Sequence, residues 1–124
     1  MPDMRHPISY AIYHPNREKA DYIPKLDWTK LKSLTFDTPK VDLFPCLGLA
    51  YRALEEGGTM PAVLNAANEI AVDAFLKEKI SYNKIPQIIH ETMENHICIS
   101  KPSLEEILES DKWAREYSRK KVCE

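Results

Sequence analysis

A chain of 124 residues, 44% apolar and 29% charged, is long enough for a single hydrophobic core and has the balance of an ordinary soluble globular domain. Its formal net charge of −2 excludes the basic field that nucleic acid requires. No apolar run approaches the ~20 residues of a membrane span, and none has the form of a secretory leader.

Three widely separated cysteines, Cys46, Cys98 and Cys123, suggest neither a disulfide framework nor a C-x-x-C site, so a reducing cytoplasm is the expected setting. Nine prolines stand against three glycines, and four of the prolines, Pro7, Pro45, Pro61 and Pro86, fall where a helix would have its first turn. At the start, Asp3 is placed to cap a short helix running to about Tyr13, with Pro7 in its first turn and Pro15 beyond its end. Ile8, Ala11 and Ile12 give that helix a small apolar face. Residues 14–25 are polar, carry Pro15 and Pro24, and read as a surface connection. Asp27 is placed to cap one tight turn. Leu34, Thr35 and Phe36 then form a short strand-like segment. Three residues cannot make a stable strand alone, and the chain offers no second strand to pair with them.

From Asp42 onward the spacing is helical. Asp42 precedes LFPCLGLAYRALEEGG, in which Pro45 falls in the first turn and Leu43, Leu47, Ala50 and Leu54 share a face beside Tyr51. Gly57-Gly58 supplies a left-handed stop. Thr59 then caps MPAVLNAANEIAVDAFLKEK, with Pro61 in the first turn. On this helix Val63, Leu64, Ala67, Ile70, Ala71, Ala74 and Phe75 fill one broad side. Asn65, Asn68, Glu69 and Asp73 lie opposite, but Val72 and Leu76 fall among them. A helix apolar nearly all round reads as the central helix of its domain. Its asparagines would then be partly buried and need partners, so Asn65, Asn68 and Glu69 are expected to form a structural polar network.

Asn83 caps KIPQIIHETMENH, with Ile85, Ile88, Ile89 and Met93 facing inward. Ser103-Leu104-Glu105-Glu106 is a capping box. The last helix either runs unbroken to about Lys121 or breaks near Ser110-Asp111, with acids leading and bases trailing as the helix dipole favours. The fold class is all-α: a small bundle of four to five helices at 42–124, preceded by an extended linker at 1–41 with its one strand-like segment.

Candidate chemistry is sparse. None of His6, His14, His90 and His96 stands at metal-ligand spacing, and no metal site is expected. Cys46 reads as a small core residue. Trp28 and Trp113 read as packing residues, and the SRKK stretch at 118–121 as a solvated helix end. Three glycines cannot build a phosphate-binding loop. From the residues alone the chain is a helical domain without a self-sufficient active site.

The phrases PDMRHPI, SLTF, FPCLGLA, GGTMPAVLNAANEIAVDAFL and WARE, in this order and spacing, resemble the C-terminal part of the 1-deoxy-D-xylulose 5-phosphate reductoisomerase family. The resemblance runs from Pro2 to about Lys121. It implies an oxidoreductase of the non-mevalonate isoprenoid route that uses NADPH and a divalent cation, Mg or Mn, makes 2-C-methyl-D-erythritol 4-phosphate, and is inhibited by fosmidomycin. In that family the metal carboxylates, the phosphate-binding residues, the catalytic loop and the nucleotide loop lie upstream. The resemblance therefore places no catalytic residue and no metal ligand on this chain, which would be an excised C-terminal part, inactive alone and with no cofactor of its own. Met1 stands where the longer chain would continue backward. What carries over is the PDM segment: Pro2 would pack near the substrate and Met4 near the nicotinamide. His6 departs from the small polar residue common at its place. The implied partners are the catalytic and nucleotide-binding domains of the same chain, with a homodimer or an exchanged contact as the alternative for this chain by itself. Neither nucleic acid nor a membrane is expected as a partner. The competing reading is a stand-alone helical module that binds a protein through exposed apolar patches.

Overall fold

The computed structural model describes residues 3–124 apart from 20, 22, 24, 26, 28, 31 and 32, so the expectations for Pro2, Pro24 and Trp28 lie outside the described residues. The chain divides into two compact units, Met1–Thr38 and Pro39–Glu124. Among the described residues there are five helices and no strand.

In the first unit, α1 spans Arg5–Tyr13 with Met4, not Asp3, at the cap position. Asp3 still serves the helix start. Its Oδ1 accepts the Arg5 backbone N–H at 3.0 Å, satisfying one of the donors that a first turn leaves unpaired. The helix stops at Tyr13 because His14 is extended (φ −49°, ψ 135°), as a residue before proline tends to be. The apolar face expected to pack does not: Ile8, Ala11 and Ile12 are all exposed. Asp27 does hold a tight turn, accepting from the Thr29 N–H at 3.0 Å and the Thr29 hydroxyl at 2.6 Å. Leu34 to Phe36 form no ladder, for want of a second strand among the described residues, and Phe36 is 87% exposed.

The second unit contains α2 (Cys46–Glu56), α3 (Met60–Leu76), α4 (Lys84–Glu94) and α5 (Leu104–Val122). Helix α3 is central and packs against each of the other three. Alanines make this close packing possible, since Ala66, Ala67, Ala71 and Ala74 are all buried and carry only a methyl group against a neighbour. Ala53, Met60, Ala67, Ala71, Ile85, Ile88, Ile89 and Met93 form the main core. A smaller cluster of Val63, Ala66 and Ala114, with Trp113 against it, joins α3 to α5.

Helix α2 turns the other way from its expected orientation. Ala53 is its one buried residue, with Leu49 partly buried against the core, whereas Leu43, Leu47, Ala50, Tyr51 and Leu54 face out. Asp42 is no cap, because residues 41–43 form a turn closed by the Leu43 and Phe44 N–H groups on the Lys40 carbonyl, and Pro45 occupies the cap position. Cys46 is exposed, not a core residue. Helix α4 keeps its expected inward face, with Thr92 added, although Asn83 stands at the cap without a side-chain bond. Helix α5 starts on the capping box and is unbroken. Ser110, where a break was conceivable, donates instead to the Glu106 carbonyl at 2.8 Å. Ser118 is not solvated. It is fully buried and pairs with Thr92 at 3.0 Å, tying α5 to α4 inside the core.

Thr59 departs furthest from its expected role. It makes no cap bond. Its N–H donates to the Ile99 carbonyl at 3.1 Å, and its Oγ1 accepts the Ile99 N–H at 3.1 Å while lying 2.7 Å from His96 Nε2. The start of α3 is thus laced to the segment after α4. Gly58 (φ +53°) permits the approach, since a Cβ there would lie 2.1 Å from the Ile99 carbonyl oxygen. Burial of the ring, against Trp113 and Thr59, pushes the His96 pKa down. With the proton of the neutral ring on Nδ1, Nε2 accepts the Thr59 hydroxyl proton, leaving the hydroxyl oxygen to accept from Ile99.

Two outcomes follow from this junction. Gly58→Ala must displace backbone and also strain a positive φ, so it should lose about 3 kcal/mol of stability, a fall of about 10 °C in the midpoint of a thermal melt followed by circular dichroism. His96, with a folded pKa below its ordinary 6.5, binds more protons when unfolded, so stability should fall as pH drops below 6.5 until the folded pKa is passed. Melting His96→Gln between pH 7.5 and 5 should show this part of the pH dependence removed; a variant with the parent's slope would contradict it.

Candidate functional site

The segment singled out in the first unit is Pro2–Met4. Pro2 lies outside the described residues. Met4 immediately precedes α1 and is 72% exposed, so its thioether is available to a surface beyond this unit. Between them Asp3 is committed to Arg5, whose Nε and Nη2 donate to the carboxylate at 2.9 and 2.6 Å. The Arg5 side-chain bonds, and then its backbone N–H, bring the Asp3 pKa down to about 2. Asp3 is therefore a fixed carboxylate at neutral pH and no proton donor. A cleft of about 70 Å³ nearby is bounded by His6, Ser9, Tyr10, Arg17, Glu18 and Ile23, with the Arg17 guanidinium 4.4 Å from the centre of the Tyr10 ring. It is too small for a cofactor, which needs several hundred Å³.

In the second unit, Asn65 and Glu69 meet: Asn65 Nδ2 donates to Glu69 Oε1 at 3.0 Å. Glu69 Oε2 pairs with Arg115 Nη2 at 2.8 Å, and Arg115 Nε reaches Asp111 at 2.7 Å, so the pair on α3 is tied to α5. The Arg115 guanidinium, helped by Asn65, holds the Glu69 carboxyl below its usual range. Asn68 is exposed and not joined to the set, and Asn65 and Glu69 are exposed where partial burial was expected. Such exposed pairs add little to stability, because water screens them. A second bridge, Arg52 on α2 to Glu56 and to Glu94 on α4, has the same character.

A groove of about 580 Å³ lies between the starts of α2 and α4. Leu43, Phe44, Leu47, Leu49, Ile85 and Pro86 give it an apolar wall, with Asp42, Asn83, Gln87 and His90 among the rest of its lining. Cys46 also lines it, and desolvation pushes that thiol's pKa up, away from thiolate chemistry. Sequence reading missed this groove. Its signal was present in LFPCLGL, where Leu43, Phe44, Leu47 and Leu49 are too many apolar residues for one helix face. Among the described residues no three His, Cys, Asp or Glu side chains gather where a metal ion could be held. The Gly57-Gly58 pair faces no phosphate either, since Gly58 abuts the Ile99 carbonyl. The apolar lining of the groove suits packing and docking.

The model of one protein family, the DXP reductoisomerase C-terminal domain, matches residues 1–117. A 1-deoxy-D-xylulose 5-phosphate reductoisomerase of Trichlorobacter lovleyi is 52% identical over 118 residues, which is 95% of this chain and 30% of that protein. The protein of the same name from Halothermothrix orenii is 54% identical over 113 residues, 91% of this chain and 29% of the relative. Among solved structures, the Zymomonas mobilis reductoisomerase in complex with NADPH superposes with a TM-score of 0.81 at 39% identity, over 98% of this chain and 32% of that one. A DOX-P reductoisomerase in complex with NADPH, fosmidomycin and magnesium gives 0.79 at 37% identity, with the same coverage. The chain thus spans about a third of the length of the relatives it matches. With the phrases of its sequence, its helical architecture and a match over nearly its whole length in agreement, the chain belongs to the DXP reductoisomerase C-terminal domain family.

Proposed function

We propose that this chain serves as the C-terminal domain of a reductoisomerase that converts 1-deoxy-D-xylulose 5-phosphate to 2-C-methyl-D-erythritol 4-phosphate with NADPH and a divalent cation, in the cytoplasm. The observation that carries the reading is 52% identity to a named reductoisomerase sustained across 95% of the chain. Residues 42–124 would be the helical domain and 1–41 the linker that brings the PDM segment to the edge of the active site. The residues present do not fit either cofactor, as no metal-ligating cluster and no phosphate cradle forms among the described residues, so no chemical step is assigned to them.

The contribution of this chain is then positional. Pro2 and Met4 supply an apolar ring and a polarizable thioether, which exclude water beside a hydride acceptor. The exposure of Met4 favours such a role, since a side chain covered within its own unit could not reach a ligand. Asn65 and Glu69, through Arg115, brace α3 on α5, while Asn68 stays outside that set. The catalytic and nucleotide-binding domains are its partners in the same polypeptide.

Three measurements test this. The 124-residue chain alone should show no NADPH oxidation with the substrate and magnesium, and turnover would refute the positional role. Put in place of the 118 matched residues of the Trichlorobacter lovleyi enzyme, it should yield an active chimera, whereas a folded and inactive chimera would refute the assignment. In the active chimera, Met4→Ala should raise the KM for NADPH about three- to tenfold, the size of one sulfur–aromatic contact, with a smaller change in kcat. Unchanged kinetics would remove Met4 from the site.

A further inference from the structure

Helix α2 is apolar on two sides, and the bundle uses only one. Ala53 and Leu49 face the core. On the other side Leu47, Tyr51 and Leu54 are exposed, Leu54 to 72%, and the turn before the helix adds the exposed Val41, Leu43 and Phe44. The face runs on into the groove of about 580 Å³, whose wall includes Leu43, Phe44 and Leu47. Arg52, Glu55 and Glu56 give α2 a charged side as well, so the outward apolar residues form a bounded patch, and contiguous exposed apolar patches mark interaction surfaces.

The size of the face selects its occupant. Helix α2 has 11 residues, a rod about 16 Å long and 10 Å wide. A second copy seated on it would bury far less than the ~800 Å² per partner of a stable interface, and a coiled-coil seam needs three or four heptads. A partner joined through the same polypeptide faces no such threshold, since a tether supplies an effective concentration near the millimolar range. About two thirds of the length of the relatives lies outside the region this chain matches. We propose that the outer face of α2 and its groove form the seat on which the remainder of a reductoisomerase chain docks. This rests on the function proposed above and adds to it which surface makes the joint.

The test uses the chimera with the Trichlorobacter lovleyi enzyme. Leu47→Glu/Leu54→Glu should cut its activity at least tenfold and lower its melting midpoint, whereas Leu47→Met/Leu54→Met, which keeps the face apolar, should leave both near the parent values. In the isolated 124-residue chain the Glu pair should leave the helical melt unchanged, because both leucines already face solvent. Alkylation of Cys46 in the groove by iodoacetamide, mapped by mass spectrometry, should be at least tenfold slower in the chimera than in the isolated chain. That measurement needs no substitution and no activity, so it reports on the seat even if the chimera folds without turning over, the result that would sink the functional assignment alone. Full activity of the Glu pair in an active chimera, or equal Cys46 reactivity in the two proteins, would overturn the seat. So would a dimer of the isolated chain that sediments as such and is dissolved by the Glu pair, since the face would then belong to a second copy.

Discussion

The Ile99 carbonyl oxygen occupies the place where a side chain on residue 58 would have to stand. That contact fixes the rest of the second unit. It lets the backbones at 59 and 99 bond in both directions, it buries Thr59, and it sets where α3 begins. Helix α3 in turn is the surface on which α2, α4 and α5 are laid. Its alanines bring the neighbours close but specify little by shape, since a methyl group can slide past another at small loss of packing. The register of the bundle is better held by its directional contacts: the Thr59–Ile99 lacing, the Thr92–Ser118 hydroxyl pair and the Arg115 bridge. Two of these are buried, where a mispaired hydroxyl costs about 1–3 kcal/mol.

Much of this was legible in the sequence. The helices were readable because prolines, a capping box and the 57–58 glycine pair punctuate them, and those signals act through neighbours only a few residues away. The inward face of α4 followed from spacing alone, because one of its sides is apolar and the other is not. The failures share a cause. Thr59 stands where a cap belongs, but its hydroxyl is taken by a residue forty positions on, and no local rule sees that partner. Leu43, Leu47, Ala50 and Leu54 read as a core face because spacing shows which residues share a side, not which side the rest of the molecule covers. For α2 the small side won. Ala53 and Leu49 let it approach α3 closely, and the bulky side was left over.

The candidate site divides along the same line. Pro2 and Met4 are proposed through resemblance to a family, since nothing in an isolated proline or methionine announces a ligand. The Asn65–Glu69 contact was legible as an i, i+4 pair. Its extension to Arg115 was not, because it depends on α5 running past Asp111 without a break. The outward position of Asn65, Asn68 and Glu69 has a simple reason. The central helix is covered by three neighbours that leave one strip open, and its polar residues occupy that strip.

A domain without a titrating group in position can still govern a rate. Placing reactants correctly accounts for about 7–11 kcal/mol of the barrier lowering available to an enzyme, and a displacement of ~1 Å can cost a hundredfold in rate. In the proposed role Met4 sits at the start of a nine-residue helix whose own apolar face is bare, and such a helix is marginal in water. Its position in a working enzyme must therefore come from the surfaces that cover it. The second unit is different, with a dry core, satisfied buried hydroxyls and a start pinned by Gly58. In the proposed role the bundle would supply the fixed point, and the segment would take its geometry from the surfaces that cover it. A substitution that loosens the bundle from its neighbours would then alter catalysis through the placement of Met4, without touching any group that reacts.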